Sequence, residues 1–216
     1  MWTELDLRES LFCDVSVESF PPASDALELT EPWASFVHAK NALQSGEAGG
    51  AVSIWRRLTN TPGLESRHYL QAWYFLRQQG IQPPEDIART LLGVVIEVEM
   101  GNGAVDLLAA YADHSARYYN YRGTGIVWDH PTNAADGYVD ALFNASLRVV
   151  EKTAPREGAR PTELSAGFAR MSFLTPAGIH SGHGPMREMA KDGLAGPVLD
   201  ASTALMKKLM QLGAKP

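Results

Sequence analysis

Residues 93–128 read GVVIEVEMGNGAVDLLAAYADHSARYYNYRGTGIVW and contain four strand-like segments separated by turn residues. In the first segment, apolar and other side chains alternate over 94–100, which is the period of a β-strand. An Asn-Gly pair follows at 102–103, and this dipeptide is a strong hairpin signal. Further turn residues lie at 113–114 and 122–125. The stretch therefore predicts a four-stranded antiparallel meander.

The sequence on either side of this meander is mainly helical. Upstream, residues 31–92 read as four helices separated by Gly and Pro. Downstream, an amphipathic helix over 134–152 precedes two more strands, at about 168–174 and 179–183. The last predicted helices span about 185–191 and 198–212. This order predicts an α+β fold in which an N-terminal helical segment packs on an antiparallel sheet, formed by the four-stranded meander, a helix, a two-stranded hairpin and C-terminal helices.

The N-terminal 32 residues hold the net charge of the chain. They contain eight acids and one base, whereas the other 184 residues contain 17 acids and 18 bases, so the overall −6 comes from this segment. Leu11, Cys13, Val15 and Val17 alternate with other residues, which favours a strand that pairs with the main sheet. The alternative is an exposed acidic arm.

The chain is thus divided into an acidic N-terminal strand or arm (1–30), a helical segment (31–92) and an antiparallel α+β domain (93–216), together predicted as one compact unit. Small and large side chains recur within the helical segment at Ala39, Gly46, Ala51, Trp55 and Leu58. With this spacing, residues 34–80 resemble a tetratricopeptide-like helix pair, and the resemblance implies a scaffold role. The competing and favoured interpretation is a helical cap packed on the sheet.

Composition excludes several classes of function. The acidic balance lacks the electrostatic footprint of a nucleic-acid-binding protein. Cys13 is the sole cysteine, so no intramolecular disulfide and no cysteine-based zinc site can form, which fits a reducing, cytoplasmic setting. No apolar run is long enough to span a membrane, and the N-terminus shows no secretion signal. No cofactor is predicted.

The run from Asp113 to Arg122, DHSARYYNYR, is unusually rich in Tyr and Arg for a core strand. Both residue types are enriched at binding hot spots, although aromatic side chains also stabilise strands for structural reasons alone. The run resembles a stretch of an uncharacterised bacterial protein family, a resemblance that implies no activity. The predicted binding residues are His114, Arg117, Tyr118, Tyr119, Tyr121 and Trp128.

Histidines provide the candidate metal or acid–base site. The candidates are Asp129, His130, His180 and His183. Histidine and carboxylate groups together can bind zinc or transfer protons. The sequence has no HExxH or HxH motif, and the alternative is that His180 and His183 lie in a loop and make local hydrogen bonds.

Three hypotheses of function follow. The favoured one is a non-enzymatic bacterial binding protein, such as an immunity or regulatory protein whose acidic residues steer a basic protein partner. The second is a metal-assisted or acid–base enzyme that uses the histidines; no catalytic residue is assigned, since no nucleophile or catalytic motif is present. The third is a scaffold built on the tetratricopeptide-like helices.

Overall fold

The computed structural model describes residues 4–21, 30–101 and 103–213, which form two compact units, 1–88 and 89–216. The first unit is helical. Its helices are α1 (Glu4–Phe12), α2 (Trp33–Gln44), α3 (Ala48–Thr59), α4 (Ser66–Gln78) and α5 (Glu85–Ala88). The predicted helices after residue 31 are confirmed to within a few residues, apart from the fourth, which is a single turn.

An aromatic core holds the helical unit together. Trp55 of α3 lies against Phe75 of α4, with ring centroids 5.1 Å apart, and Phe75 also contacts Phe36 of α2 edge-on. Trp55 and Trp73 are buried within this core. Both indoles are thus packed among helices of the first unit, and the scaffold hypothesis and the tetratricopeptide resemblance stay predictions.

The predicted N-terminal strand is wrong. Residues 4–12 are the helix α1, and over 8–12 its buried side chains are Arg8, Leu11 and Phe12, at the i, i+3, i+4 spacing of one helix face. Cys13 ends the helix with φ of 54°, the left-handed conformation common after a helix C-terminus. The next residues pack on helices rather than on a strand: Gln71 donates to the Val15 carbonyl (2.8 Å).

The second unit contains the sheet and the helices that cover it. Its strands are β1 (Gly93–Gly101), β2 (Ala104–Tyr111), β3 (Ala116–Tyr119), β4 (Gly125–Trp128), β5 (Phe168–Thr175) and β6 (Gly178–Pro185). Its helices are α6 (Asp136–Lys152), α7 (Met186–Met189) and α8 (Ala195–Gly213). The α+β fold class, with an antiparallel sheet, is confirmed.

The sheet has the order β4-β3-β2-β1-β5-β6, and every neighbouring pair is antiparallel. The meander and the hairpin are thus joined through β1 and β5, where Gly93 pairs with Leu174 and Val98 with Ala169. This pairing places the meander's first strand and the hairpin's first strand at the centre of the sheet, and leaves β4 and β6 as the two edges.

One face of the sheet packs against α6 and α8. Val94, Ile96, Met171 and Phe173 point from the sheet into this core, and Leu142 and Leu205 meet them from the helices. All of them are buried, and their alternation along each strand follows the period of two. This layer fixes where α6 begins relative to the end of β4.

The opposite face carries a buried ion pair beneath the loop that joins α6 to β5. Arg170 Nη1 lies 3.1 Å from Glu97 Oε2 and also donates to the Pro161 carbonyl (2.5 Å), and Nη2 donates to the Glu163 carbonyl. Because Arg170 ties the loop to the sheet at several points, the loop is held without regular secondary structure of its own.

Glu99 binds the same loop to the β1–β2 turn. Its carboxylate accepts hydrogen bonds from the backbone N–H groups of Gly101, Gly103 and Gly167, at 2.8–3.0 Å. These bonds favour the ionised form and lower the pKa of the Glu99 carboxyl.

No helix among the described residues is long and apolar enough to cross a membrane.

Candidate functional site

Two histidines meet at the open end of the β3–β4 hairpin. The last pair of the ladder joins Ala116 to Trp128, so continuing the same register by two residues sets His114 opposite His130. Their ring centroids are 5.4 Å apart and the ring planes are inclined by 31°. The two side chains therefore form a stacked pair at one corner of the second unit.

Both histidines adopt a backbone conformation that is uncommon for residues other than glycine. The φ angle is 62° at His114 and 51° at His130. At His114 the turn is closed by two backbone bonds, His114 N–H to the Tyr111 carbonyl (3.0 Å) and Tyr111 N–H to the Ser115 carbonyl (2.9 Å). Left-handed residues other than glycine cost free energy and cluster at functional sites, so the pair marks a candidate site.

The first turns of α6 bring two carboxylates to the histidine pair. Asp136 and Asp140 are four residues apart and therefore lie on one helix face. His130 Nε2 is 3.0 Å from Asp136 Oδ1, and His114 Nε2 is 3.0 Å from Asp140 Oδ1. The position of Asp136 in the first helical turn favours a negative charge there, because the helix dipole is positive at that end.

Three of these groups could hold one metal ion. Ligand atoms of His114, His130 and Asp136 all lie within 4.8 Å of one another. The side chains are partly accessible, with 27–38% of their surface exposed, so an ion can reach them from solvent. We call these three residues, together with Asp140, the His–Asp cluster.

Asp129 is adjacent to this cluster in sequence but bonds elsewhere. Its carboxylate pairs with Arg117, which also donates to the Trp128 carbonyl at 3.0 Å. The Arg117 side chain is almost completely buried, whereas Asp129 is largely exposed. The predicted binding residue Arg117 thus joins β3 to the end of β4.

The tyrosines of the Tyr/Arg-rich run have different surroundings. Tyr118 is buried and donates to Asp106 Oδ2 (2.9 Å), and burial together with this carboxylate raises its pKa to about 12. Tyr119 is half-buried and packs over Gly125 on β4. Tyr121 is 40% exposed, with the Arg122 guanidinium 5.2 Å from its ring centroid. Of the tyrosines predicted to bind a partner, Tyr121 is the most accessible.

The other predicted histidines are not part of the cluster. His180 and His183 lie on β6, the edge strand opposite β4, so they cannot join His130 and Asp129 in one site. They also face opposite sides of the sheet, since residues three apart on a strand alternate. The predicted set of four is therefore wrong as a single site: His130 belongs to the His–Asp cluster, and the other three are elsewhere.

His180 is a neutral histidine inside the core. Its Nδ1 lies 2.8 Å from Thr153 Oγ1, and that hydroxyl donates its one proton to the Val149 carbonyl. Nδ1 must therefore carry the hydrogen, and Nε2 is left buried without a partner among the described residues. Burial, with a smaller contribution from the positive charge of Arg89, lowers the pKa of His180 to about 4.

From the sequence, His114 and His130 are predicted in separate sites, and Asp136 and Asp140 are not predicted as site residues. The register of the β3–β4 hairpin could have indicated that the two histidines meet. Once residues 116 and 128 pair, residues 114 and 130 lie opposite each other. The acids carried a weaker signal, as two carboxylates on one face at the start of an amphipathic helix. Their distance from the histidines depends on how α6 packs on the sheet, which sequence alone does not give.

Comparisons with known proteins assign no function to this site. No protein-family model, no curated protein and no solved structure matches the chain. The similarity of residues 113–122 to a bacterial family therefore stays a prediction.

Proposed function

We propose that this protein binds a divalent transition-metal ion, with zinc the best-fitting case, through His114, His130 and Asp136. The observation that carries the proposal is the convergence of three ligand atoms within 4.8 Å of one another. Imidazole and carboxylate are both ordinary zinc ligands, and zinc accepts mixed sets of them. This is the metal-binding branch of the histidine hypothesis, with a different ligand set.

The distances within the cluster suit a shared ion. Two ligands that each lie about 2.0–2.2 Å from a tetrahedral zinc ion are themselves about 3.3–3.6 Å apart. His130 Nε2 and Asp136 Oδ1 are 3.0 Å apart, so a shift of a few tenths of an ångström would admit an ion between them. Two neutral imidazoles and the carboxylates of Asp136 and Asp140 give a charge of −2, which balances a divalent cation.

Asp140 has the position of an orienting carboxylate. A metal-ligating histidine usually donates its second ring N–H to a carboxylate, which fixes the tautomer and the ring orientation. His114 is paired in this way with Asp140, at 3.0 Å. Three protein ligands with an outer carboxylate are typical of catalytic zinc sites, which keep one position for water. This resemblance favours the metal-assisted enzyme over a purely structural metal site.

Zinc titration of the tag-free full chain, stripped of metal, tests the proposal. We expect one equivalent to bind with micromolar or tighter affinity in a competition assay against a chromophoric chelator. His114→Ala and Asp136→Asn should each weaken binding by more than tenfold, and Asp140→Asn by about 10–100-fold, the usual effect of losing an outer partner.

His183→Ala is the matched control, because His183 is an exposed histidine on the far edge strand. It should leave the zinc affinity within twofold of the unaltered protein. Two results would refute the metal site: no stoichiometric binding of zinc, nickel or copper, or an equal loss of affinity in His183→Ala and His114→Ala.

Binding of a basic protein partner, of the immunity or regulatory kind, is the second candidate. It is supported by the exposed Tyr121–Arg122 pair, since Tyr and Arg are enriched at hot spots. Acidic steering requires an association rate that falls as salt rises. A rate indifferent to ionic strength would contradict it. A cytoplasmic location, consistent with a sole, buried cysteine that has no second cysteine in the chain to pair with, belongs to the same proposal.

A further inference from the structure

The helical unit contains a cavity of about 260 Å³ that the metal proposal does not involve. Its wall includes Val15, Phe20 and Trp33, and most of the remaining wall is contributed by α1 and α4. Small-molecule pockets commonly measure about 300–1,000 Å³, with apolar and aromatic walls and a few polar groups. The volume and lining therefore suit a ligand of one or two rings.

Gln71 lines the cavity and carries a buried hydrogen-bond acceptor. Its side chain is only 1% exposed, and its amide nitrogen donates to the Val15 carbonyl at 2.8 Å. Because the Val15 carbonyl can only accept a hydrogen bond, the Gln71 side-chain NH2 must face it. The orientation of the amide is therefore fixed, and Oε1 is the atom that does not face Val15. Oε1 is buried and has no hydrogen-bond partner among the described residues. A buried acceptor of this kind costs free energy until a donor reaches it.

The charges and rings of the wall define the ligand further. Glu9 and Arg67 both line the cavity, so it carries no excess of one sign and suits a neutral molecule. Phe20 and Trp33 have ring centroids 5.7 Å apart, and both offer aromatic surface to the cavity. Aromatic rings pack favourably against such surfaces in offset or edge-to-face arrangements.

We propose that this cavity is a binding site for a small, neutral aromatic compound with one hydrogen-bond donor, of the phenol or indole type. The ring packs from the cavity side against Phe20 and Trp33, which contact each other, and the O–H or N–H donates to Gln71 Oε1. The donor satisfies an acceptor that is otherwise buried without a partner, so donor-bearing compounds bind more tightly than hydrocarbons of the same shape.

Two probes of matched shape, 4-methylphenol and toluene, test this selectivity on the full chain. Trp33 is the tryptophan among the described residues that lines the cavity, so 5-fluorotryptophan labelling gives a local ¹⁹F signal, assigned with Trp33→Phe. We expect millimolar 4-methylphenol to shift the Trp33 resonance, and toluene to bind at least about tenfold more weakly.

Gln71→Met removes the acceptor while preserving side-chain length, and should bring the two affinities within about threefold of each other. Gln78→Met, an exposed substitution on the same helix, should preserve the full selectivity. The comparison in the unaltered protein is decisive even if Gln71→Met fails to fold. Equal binding of both probes there, or no shift of Trp33 with either, would overturn the proposal and leave a cavity that holds only water.

Discussion

His114 and His130 face each other two residues beyond the last pair of the β3–β4 ladder, with ring centroids 5.4 Å apart. The register of the hairpin alone produces this pair, so a one-residue slip in either strand would separate the rings. The first turns of α6 then add Asp136 and Asp140 from one helix face. The geometry of the His–Asp cluster thus depends on the register of the hairpin and on the packing of α6.

The positive φ of His130 predicts a difference between two substitutions that remove the same ring. His130→Ala keeps a Cβ in the left-handed region, whereas His130→Gly does not. We expect His130→Ala to be less stable than His130→Gly by about 1 kcal/mol, measured by urea unfolding of the metal-free protein. Equal stability, or a more stable alanine variant, would show that the backbone is not strained there.

Buried, neutral His180 predicts a specific loss of stability in acid. Its folded pKa of about 4 lies below the value of 6.5 expected for an unfolded chain, so the unfolded state takes up the proton first. Stability therefore falls as the pH drops from about 6.5 and stops falling, for this group, below about 4. The contribution amounts to about 3 kcal/mol.

His180→Asn keeps an N–H donor near the position of Nδ1 and should remove this part of the pH dependence. Chemical unfolding at several pH values between 7 and 4 would measure it. His183→Asn, on the same strand but exposed, should retain the full slope. If both variants lose stability in acid as steeply as the unaltered protein, His180 is not the group responsible.

The Glu97–Arg170 pair predicts strongly unequal effects of single and double substitutions. Arg170→Met removes a buried guanidinium that lies 3.1 Å from the completely buried Glu97 carboxylate and should cost about 3–5 kcal/mol. Glu97→Leu combined with Arg170→Met removes both charges and should cost clearly less. Thermal and urea unfolding would compare them, with Arg122→Met as the exposed control. A double variant less stable than Arg170→Met alone would contradict this account.

Two glycines in strands predict different tolerance to a methyl group. A Cβ at Gly93 would lie 3.0 Å from Leu174 and Tyr111, both buried at the sheet centre, so Gly93→Ala should cost about 1–3 kcal/mol. At Gly125 the nearest atom, 2.6 Å away, belongs to the half-buried Tyr119 ring on the outer hairpin. That ring can rotate towards solvent, so Gly125→Ala should cost less by urea unfolding; the reverse order would refute the argument.

Most of the second unit follows from local patterns in the sequence. The period of two over 94–100 and the amphipathic helix at 134–152 each predict an element that the structure contains. The Asn-Gly pair predicts the hairpin of β1 and β2, although Asn102 itself lies outside the described residues. The N-terminal helix was missed because Leu11, Cys13 and Val15 satisfy a strand period by chance. The helix instead buries Arg8, Leu11 and Phe12, and this burial depends on tertiary packing that the local sequence pattern does not show.

The candidate site was only partly predictable for similar reasons. His114 and His130 can be paired from hairpin register, and His180 and His183 can be separated by the odd spacing on one strand. The meeting of the histidines with Asp136 depends on the angle at which α6 packs on the sheet. The Gln71 acceptor is still less visible, because its environment combines α4 with a segment 56 residues earlier.

The central pairing of β1 with β5 also has a consequence for biosynthesis. β1 emerges from the ribosome long before β5, because it lies much earlier in the sequence. The two strands are nevertheless partners, since Gly93 pairs with Leu174 and Val98 with Ala169. During that interval the nascent chain exposes one β1 edge rich in Val and Ile, and such an edge can pair with other chains. Chaperone capture of arrested nascent chains should accordingly peak before residue 174 leaves the exit tunnel and decline afterwards.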